Sequence, residues 1–71
     1  MPLVIAPMSK KLKVIKILTD EKTKKHLASL GITIDSEMEI MFQSGGSIIC
    51  FIKDGRLALD RDIATKILVK L

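Results

Sequence analysis

Glu37-Met38-Glu39-Ile40-Met41-Phe42-Gln43, then Ser44-Gly45-Gly46, then SIICFIK over residues 47–53, Asp54-Gly55, and RLALD over residues 56–60: this stretch decides the fold. EMEIMFQ alternates with the period of two that puts successive side chains on opposite faces of a strand. That reading places Met38, Ile40 and Phe42 on an inner side and Glu37, Glu39, Met41 and Gln43 outside. Ser44-Gly45-Gly46 is a turn signal, Asp54-Gly55 is the dipeptide of a tight hairpin, and RLALD carries the chain back. Three antiparallel strands are predicted. The middle one, with Ile48, Ile49, Cys50, Phe51 and Ile52 in a row, is apolar on both faces. A small barrel cannot hide both sets, so either Ile49 with Phe51 or Ile48 with Cys50 and Ile52 must lie outside or beneath a helix.

Upstream, residues 11–17 (KLKVIKI) alternate as a half-buried strand whose pattern slips at Ile15, the mark of a bulge. Thr19 or Asp20 can cap a helix over residues 21–30, with Glu21 in its first turn and Lys24, Lys25 and His26 toward its end. Thr23, Leu27 and Leu30 share one face of it, and Gly31 supplies a left-handed stop against which Ile32 can pack. Residues 1–10, with Pro2 and Pro7 bracketing LVIA, read as an irregular apolar lead-in. Downstream, Asp60 is expected to cap a short helix in which Ile63, Ala64 and Ile67 share a face, and residues 68–71 a last strand. Five short strands expose their edges unless they curl, so the expected architecture is a single domain over residues 1–71, mainly β with two short helices: a partly open, SH3-like β-barrel.

Composition narrows the function. Seventy-one residues bound the chain to one domain, and 48% hydrophobic residues with a net charge of +4 describe a folded basic module. With no Trp or Tyr and two Phe, base stacking has almost nothing to work with, and nucleic acid is not an expected partner. The one cysteine, Cys50, forms no internal disulfide and points to a reducing compartment, the cytoplasm. No apolar run approaches the roughly 20 residues of a membrane span, and no secretory leader is recognised, so contact with a membrane is expected only through a partner. Catalysis needs a nucleophile and a base that meet. His26 belongs to a lysine-rich helix end and Cys50 to the most apolar strand, so no enzyme is expected. No cofactor is required. Weak binding of a transition metal, Fe2+, Mn2+ or Zn2+, has His26, Glu37 and Glu39 as its candidate ligands. Seven lysines fall in residues 1–34 against two acids, a basic side that suits an acidic partner.

Two segments carry a family resemblance. Leu27-Ala28-Ser29-Leu30-Gly31-Ile32-Thr33 with Ser36-Glu37-Met38-Glu39-Ile40 resembles the L-x-x-L-G-[LMI]-x…G-x-x-[VI]-x-[VI] pattern of the FeoA proteins of bacterial ferrous iron transport. Arg56-Leu57-Ala58-Leu59 with Ala64 and Ile67-Leu68-Val69 is similar to their R-[LV]-A-L-R…A-x-x-I-x-V ending. The sequence departs from the pattern at two turns and one further position: Ile34-Asp35 stands for Pro-Gly, Gly46-Ser47 for Gly-Pro, and Asp60, after L-A-L, for a basic residue. The resemblance implies the SH3-like fold also found at the C-terminus of iron-responsive DtxR-type repressors. It further implies a cytoplasmic accessory role, binding and modulating the FeoB membrane ferrous iron transporter. The alternative is a stand-alone regulatory domain that senses a divalent metal. The residues expected to meet a partner are Met41, Ile49 and Phe51 on the strands, with Lys24 and Lys25 on the helix; a second copy, joined through an open barrel edge, is a further candidate partner.

Overall fold

The computed structural model describes residues 1–53 and 55–71. Strand β1 (Leu12–Ile17) is followed by helix α1 (Glu21–Ser29), the meander β2 (Glu37–Ser44), β3 (Ser47–Ile52) and β4 (Gly55–Asp60), the four-residue helix α2 (Arg61–Ala64), and β5 (Ile67–Lys70). All pairings are antiparallel, in the order β4-β3-β2-β1-β5. β1 meets β2 only at Leu12–Met38 and Lys13–Glu37, and among the described residues β4 and β5 do not pair, so the sheet curls without closing. This is the expected SH3-like, partly open architecture.

Asp20, rather than Thr19, caps α1: its Oδ1 accepts the Thr23 N–H at 2.9 Å. Thr23, through its side chain first and its amide second, holds the Asp20 carboxyl below its usual 3.8. A carboxyl depressed by folding adds stability above its unfolded pKa and loses it as pH falls through the lower folded value. Asp20→Ala is therefore expected to lower the urea midpoint at neutral pH, with the gap to wild type narrowing below 3.8. A gap that stays constant down to pH ~2 would show that the carboxylate charge plays no part in the cap.

At its other end, α1 stops in a Schellman arrangement. Gly31 takes φ +97, its N–H donates to the Ala28 carbonyl at 3.0 Å, and the Ile32 N–H donates to Leu27 at 2.9 Å, bringing Ile32 into the core beside Leu27. The helix ends one residue before Leu30, which is its C-cap. In the following turn Asp35 adopts φ +72 where a glycine is the usual occupant, and Ser36 Oγ accepts the Thr33 N–H at 3.1 Å. The Asp35 N–H then donates to Val14 at 2.7 Å, tying the turn to β1.

Several expectations are corrected. In β2, Phe42 lies outside and is 48% exposed, because the β2–β3 register shifts between Ile40 and Phe42. One extra residue at Met41 flips every later side chain, so Phe42 faces out opposite Ile49 and Gln43 turns to the side of buried Ile48. There Gln43 donates to the Val4 carbonyl at 3.2 Å and accepts from Arg61 at 3.0 Å. Ile67 belongs to β5, not to the helix: it pairs with Ile17 and is fully buried. Asp60 occupies the N-cap position of α2, but its side chain makes no capping bond. The expected bulge in β1 is present, between Val14 and Lys16. Gly55 opens β4 opposite Ile52, while the Asp54 half of the expected hairpin dipeptide lies outside the described residues.

Among the described residues the core is entirely apolar and includes Leu12, Val14, Leu27, Ile32, Ile40, Ile48, Cys50, Ile67 and Val69. The first ten residues contribute to it. Leu3–Ile5 form one 3-10 turn, and Leu3 and Ala6 are buried. On the outer face of the meander, by contrast, Phe42 and Phe51 are exposed.

Candidate functional site

Cross-strand register builds the site. Residues directly opposite one another share a face with Cβ atoms about 5 Å apart. Across β2, β3 and β4 this produces two outer rows: Phe42, Ile49 and Ala58 in one, and Glu39, Phe51 and Arg56 in the next. The first row is apolar throughout, and the second sets an aromatic ring between an acid and a base. Phe51 is 44% exposed and Ile49 half-buried. Of the two sets on β3, then, Ile48 and Cys50 form the core and Ile49 and Phe51 are left outside. Two exposed phenylalanines on a hydrogen-bonded sheet make a rigid apolar platform.

Phe51 also borders an open groove of about 690 Å³ whose wall includes Lys11, Thr33, Glu37, Glu39 and Lys53. A smaller apolar groove of about 300 Å³ runs beside α1, over Ile17, Ala28, Ile32 and Ile34, with Lys24 and Lys25 at its lip. The grooves meet at Thr33, which lines both. Lys24 stands 3.8 Å from Glu21, an exposed pair of small energetic weight.

The structure thus separates the expected contact residues into three places. Ile49 and Phe51 stand together on the platform, Met41 is half-buried at the β2 bulge, and Lys24 and Lys25 belong to the second groove. Phe42, Ala58 and Arg56 complete the platform and were not anticipated there. Of the candidate metal ligands, Glu37 and Glu39 line the larger groove together, while exposed His26 on α1 lines neither groove. Among the described residues no three His, Cys, Asp or Glu side chains gather in a way that could hold a metal ion. Cys50 is fully buried, and desolvation pushes its thiol up to about 11, so it is protonated and inert at neutral pH.

The profile of the FeoA domain matches residues 1–71. The chain belongs to the FeoA family. It is therefore a small protein of a family associated with iron transport. No curated protein gives a significant sequence match. Among solved structures, a FeoA-like protein from Clostridium acetobutylicum is 26% identical with a TM-score of 0.85, over 100% of this chain and 85% of the other. A FeoA described as an iron uptake regulatory protein is 22% identical with a TM-score of 0.87, over 99% of this chain and 95% of the other. A manganese-dependent transcriptional repressor has the same fold within a longer chain: 24% identity and a TM-score of 0.86, over 100% of this chain and 41% of the other. The FeoA fold accounts for the order of elements, and no helix among the described residues is long and apolar enough to cross a membrane. The departure at Ile34-Asp35 is accommodated within that fold, since Asp35 takes up a left-handed backbone at φ +72.

Proposed function

We propose that the protein is a non-enzymatic accessory of ferrous iron transport that works in the cytoplasm, docking on the cytoplasmic parts of the FeoB membrane transporter and modulating iron uptake. The observation that carries this reading is the uncovered platform of Phe42, Ile49 and Phe51 on the meander. Apolar side chains held on a hydrogen-bonded sheet bury area on docking with little ordering cost, which is the character of a binding surface. Lys24 and Lys25 at the lip of the second groove, with Glu21 offsetting one of the two charges, leave a net basic flank suited to an acidic partner. Nothing in the site resembles catalytic machinery: His26 is exposed on α1 and Cys50 is shut in the core. The protein requires no cofactor for this role. Sensing of Fe2+, Mn2+ or Zn2+ draws less support, because Glu37 and Glu39 share their groove with Lys11 and Lys53, whose charges offset theirs.

The test is retention of FeoB from detergent-solubilised membranes by the immobilised protein, and then titration of the purified transporter. Ile49→Glu with Phe51→Glu should weaken binding at least tenfold while leaving the circular dichroism spectrum of the fold unchanged. Undiminished binding by that folded variant would remove the platform from the mechanism, and no retention of FeoB by the wild-type chain would remove the proposal.

A further inference from the structure

The two edges of the sheet are treated differently. Along β5, the Met1 amine donates to the Val69 carbonyl at 2.8 Å, the Val69 N–H donates to Met1 at 2.7 Å, and Pro2 bridges to Leu68. That edge is covered by the chain's own first residues. Strand β4 pairs with β3 alone among the described residues, so one row of its backbone donors and acceptors faces away from the sheet. Its sequence, GRLALD, carries neither the proline nor the lysine that blocks edge pairing.

That edge is self-complementary. Ala58 sits at its centre, with Leu57 and Leu59 one residue away on either side and Arg56 and Asp60 two away. Arg56, Ala58 and Asp60 lie exposed on the outer face, while Leu59 is buried and Leu57 half-buried on the inner one. We propose that β4 pairs antiparallel with β4 of a second copy about a two-fold axis at Ala58. In this register Arg56 faces Asp60 of the second copy and Asp60 faces its Arg56, so the symmetry makes two opposite-charge pairs, with Leu57 against Leu59 on the inner face. The other symmetric registers lose this match: centring on Leu57 sets Arg56 against Ala58, and centring on Leu59 sets Asp60 against Ala58. The sheet then runs on through both copies and places both Phe42–Ile49–Phe51 platforms on the same side. The proposal does not rest on the transporter reading.

Sedimentation of the full chain from micromolar to millimolar concentration reads the association directly. Wild type is expected to be a reversible dimer at the upper end. Arg56→Asp alone and Asp60→Arg alone each set like charges face to face at both pairs, and each should weaken self-association at least tenfold. Mixed in equal amounts, the two variants restore both opposite-charge pairs and should associate again, a recovery that impaired folding of either variant would not produce. In a separate measurement, Ala58→Cys should form a covalent dimer under mild oxidation, since residue 58 faces itself, whereas Arg56→Cys should not. A wild-type chain that stays monomeric throughout, single variants that fail to associate on mixing, or equal cross-linking at 56 and 58 would each overturn the proposal.

Discussion

Ile48→Ala is expected to lower the free energy of unfolding by about 2 to 4 kcal/mol, while Ile49→Ala, one residue along the same strand, lowers it by about 1 kcal/mol or less. The two side chains are chemically identical and their environments are opposite. Ile48 is fully buried between Gln43 of β2 and Leu59 of β4, in the layer that includes Ile40 and Cys50. Truncation there removes three carbons from a packed interior that cannot close over the space. Ile49 stands on the outer face beside Phe42 and Ala58, where water replaces the lost methyl groups. A chain of 71 residues commands about 4 to 11 kcal/mol in total. The Ile48 variant would thus lose a large share of its stability, with the urea midpoint falling by about 2 to 4 M at an m-value near 1 kcal/mol/M. Urea titrations of the two variants give the comparison directly, and equal losses would mean that the two faces of β3 have been assigned wrongly.

That assignment is what the sequence left open. EMEIMFQ and the turn residues around it show the meander plainly, but the five apolar residues of β3 satisfy either face and carry no phase. The phase comes from two constraints that disagree by one residue. Working back from the Gly45-Gly46 turn, Ser44 pairs with Ser47 and Phe42 with Ile49; working forward from Met38 and Ile40, which must both be buried, Ile40 pairs with Cys50. Both hold only if one residue is left over between Ile40 and Phe42, and Met41 is that residue. Phe42 moves outside as a consequence, and the platform gains the aromatic ring that simple alternation assigned to the core. Ile67 shows a different limit. Its spacing from Ile63 and Ala64 suits a helix, but pairing with Ile17 pulls it into β5, because a four-residue helix offers less than a ladder along β1. Glu37 and Glu39, two apart on one strand, were bound to share a face; that Lys11 and Lys53 would meet them across a groove depended on how the sheet curls, which no local pattern encodes.

The first residues of the chain lead to the second large effect. Leu3→Ala is expected to destabilise the protein by about 2 to 4 kcal/mol, and deletion of residues 1–6 to abolish cooperative unfolding. Leu3 is 0% exposed within a single 3-10 turn that packs against α2 and β5. A turn this short has no periodicity to announce which side is buried, so only its apolar composition hinted at a place in the core. Four further ties hold the segment: Met1 to Val69, Pro2 to Leu68, Val4 to Gln43, and the Ser9 N–H to the Ile40 carbonyl at 3.0 Å. Deletion therefore opens a cavity beneath Leu3 and Ala6 and at the same time strips the cover from β5, leaving a second bare edge on a small sheet. Ile5 supplies the control, since at 70% exposure its truncation should change stability by no more than about 0.5 kcal/mol. Thermal unfolding of Leu3→Ala, Ile5→Ala and the deletion, with amide chemical-shift dispersion as a second probe, separates the three. A deletion variant that keeps a sharp thermal transition and dispersed amide signals would show that the β1–β5 pairing and the meander form a sufficient core without the first turn.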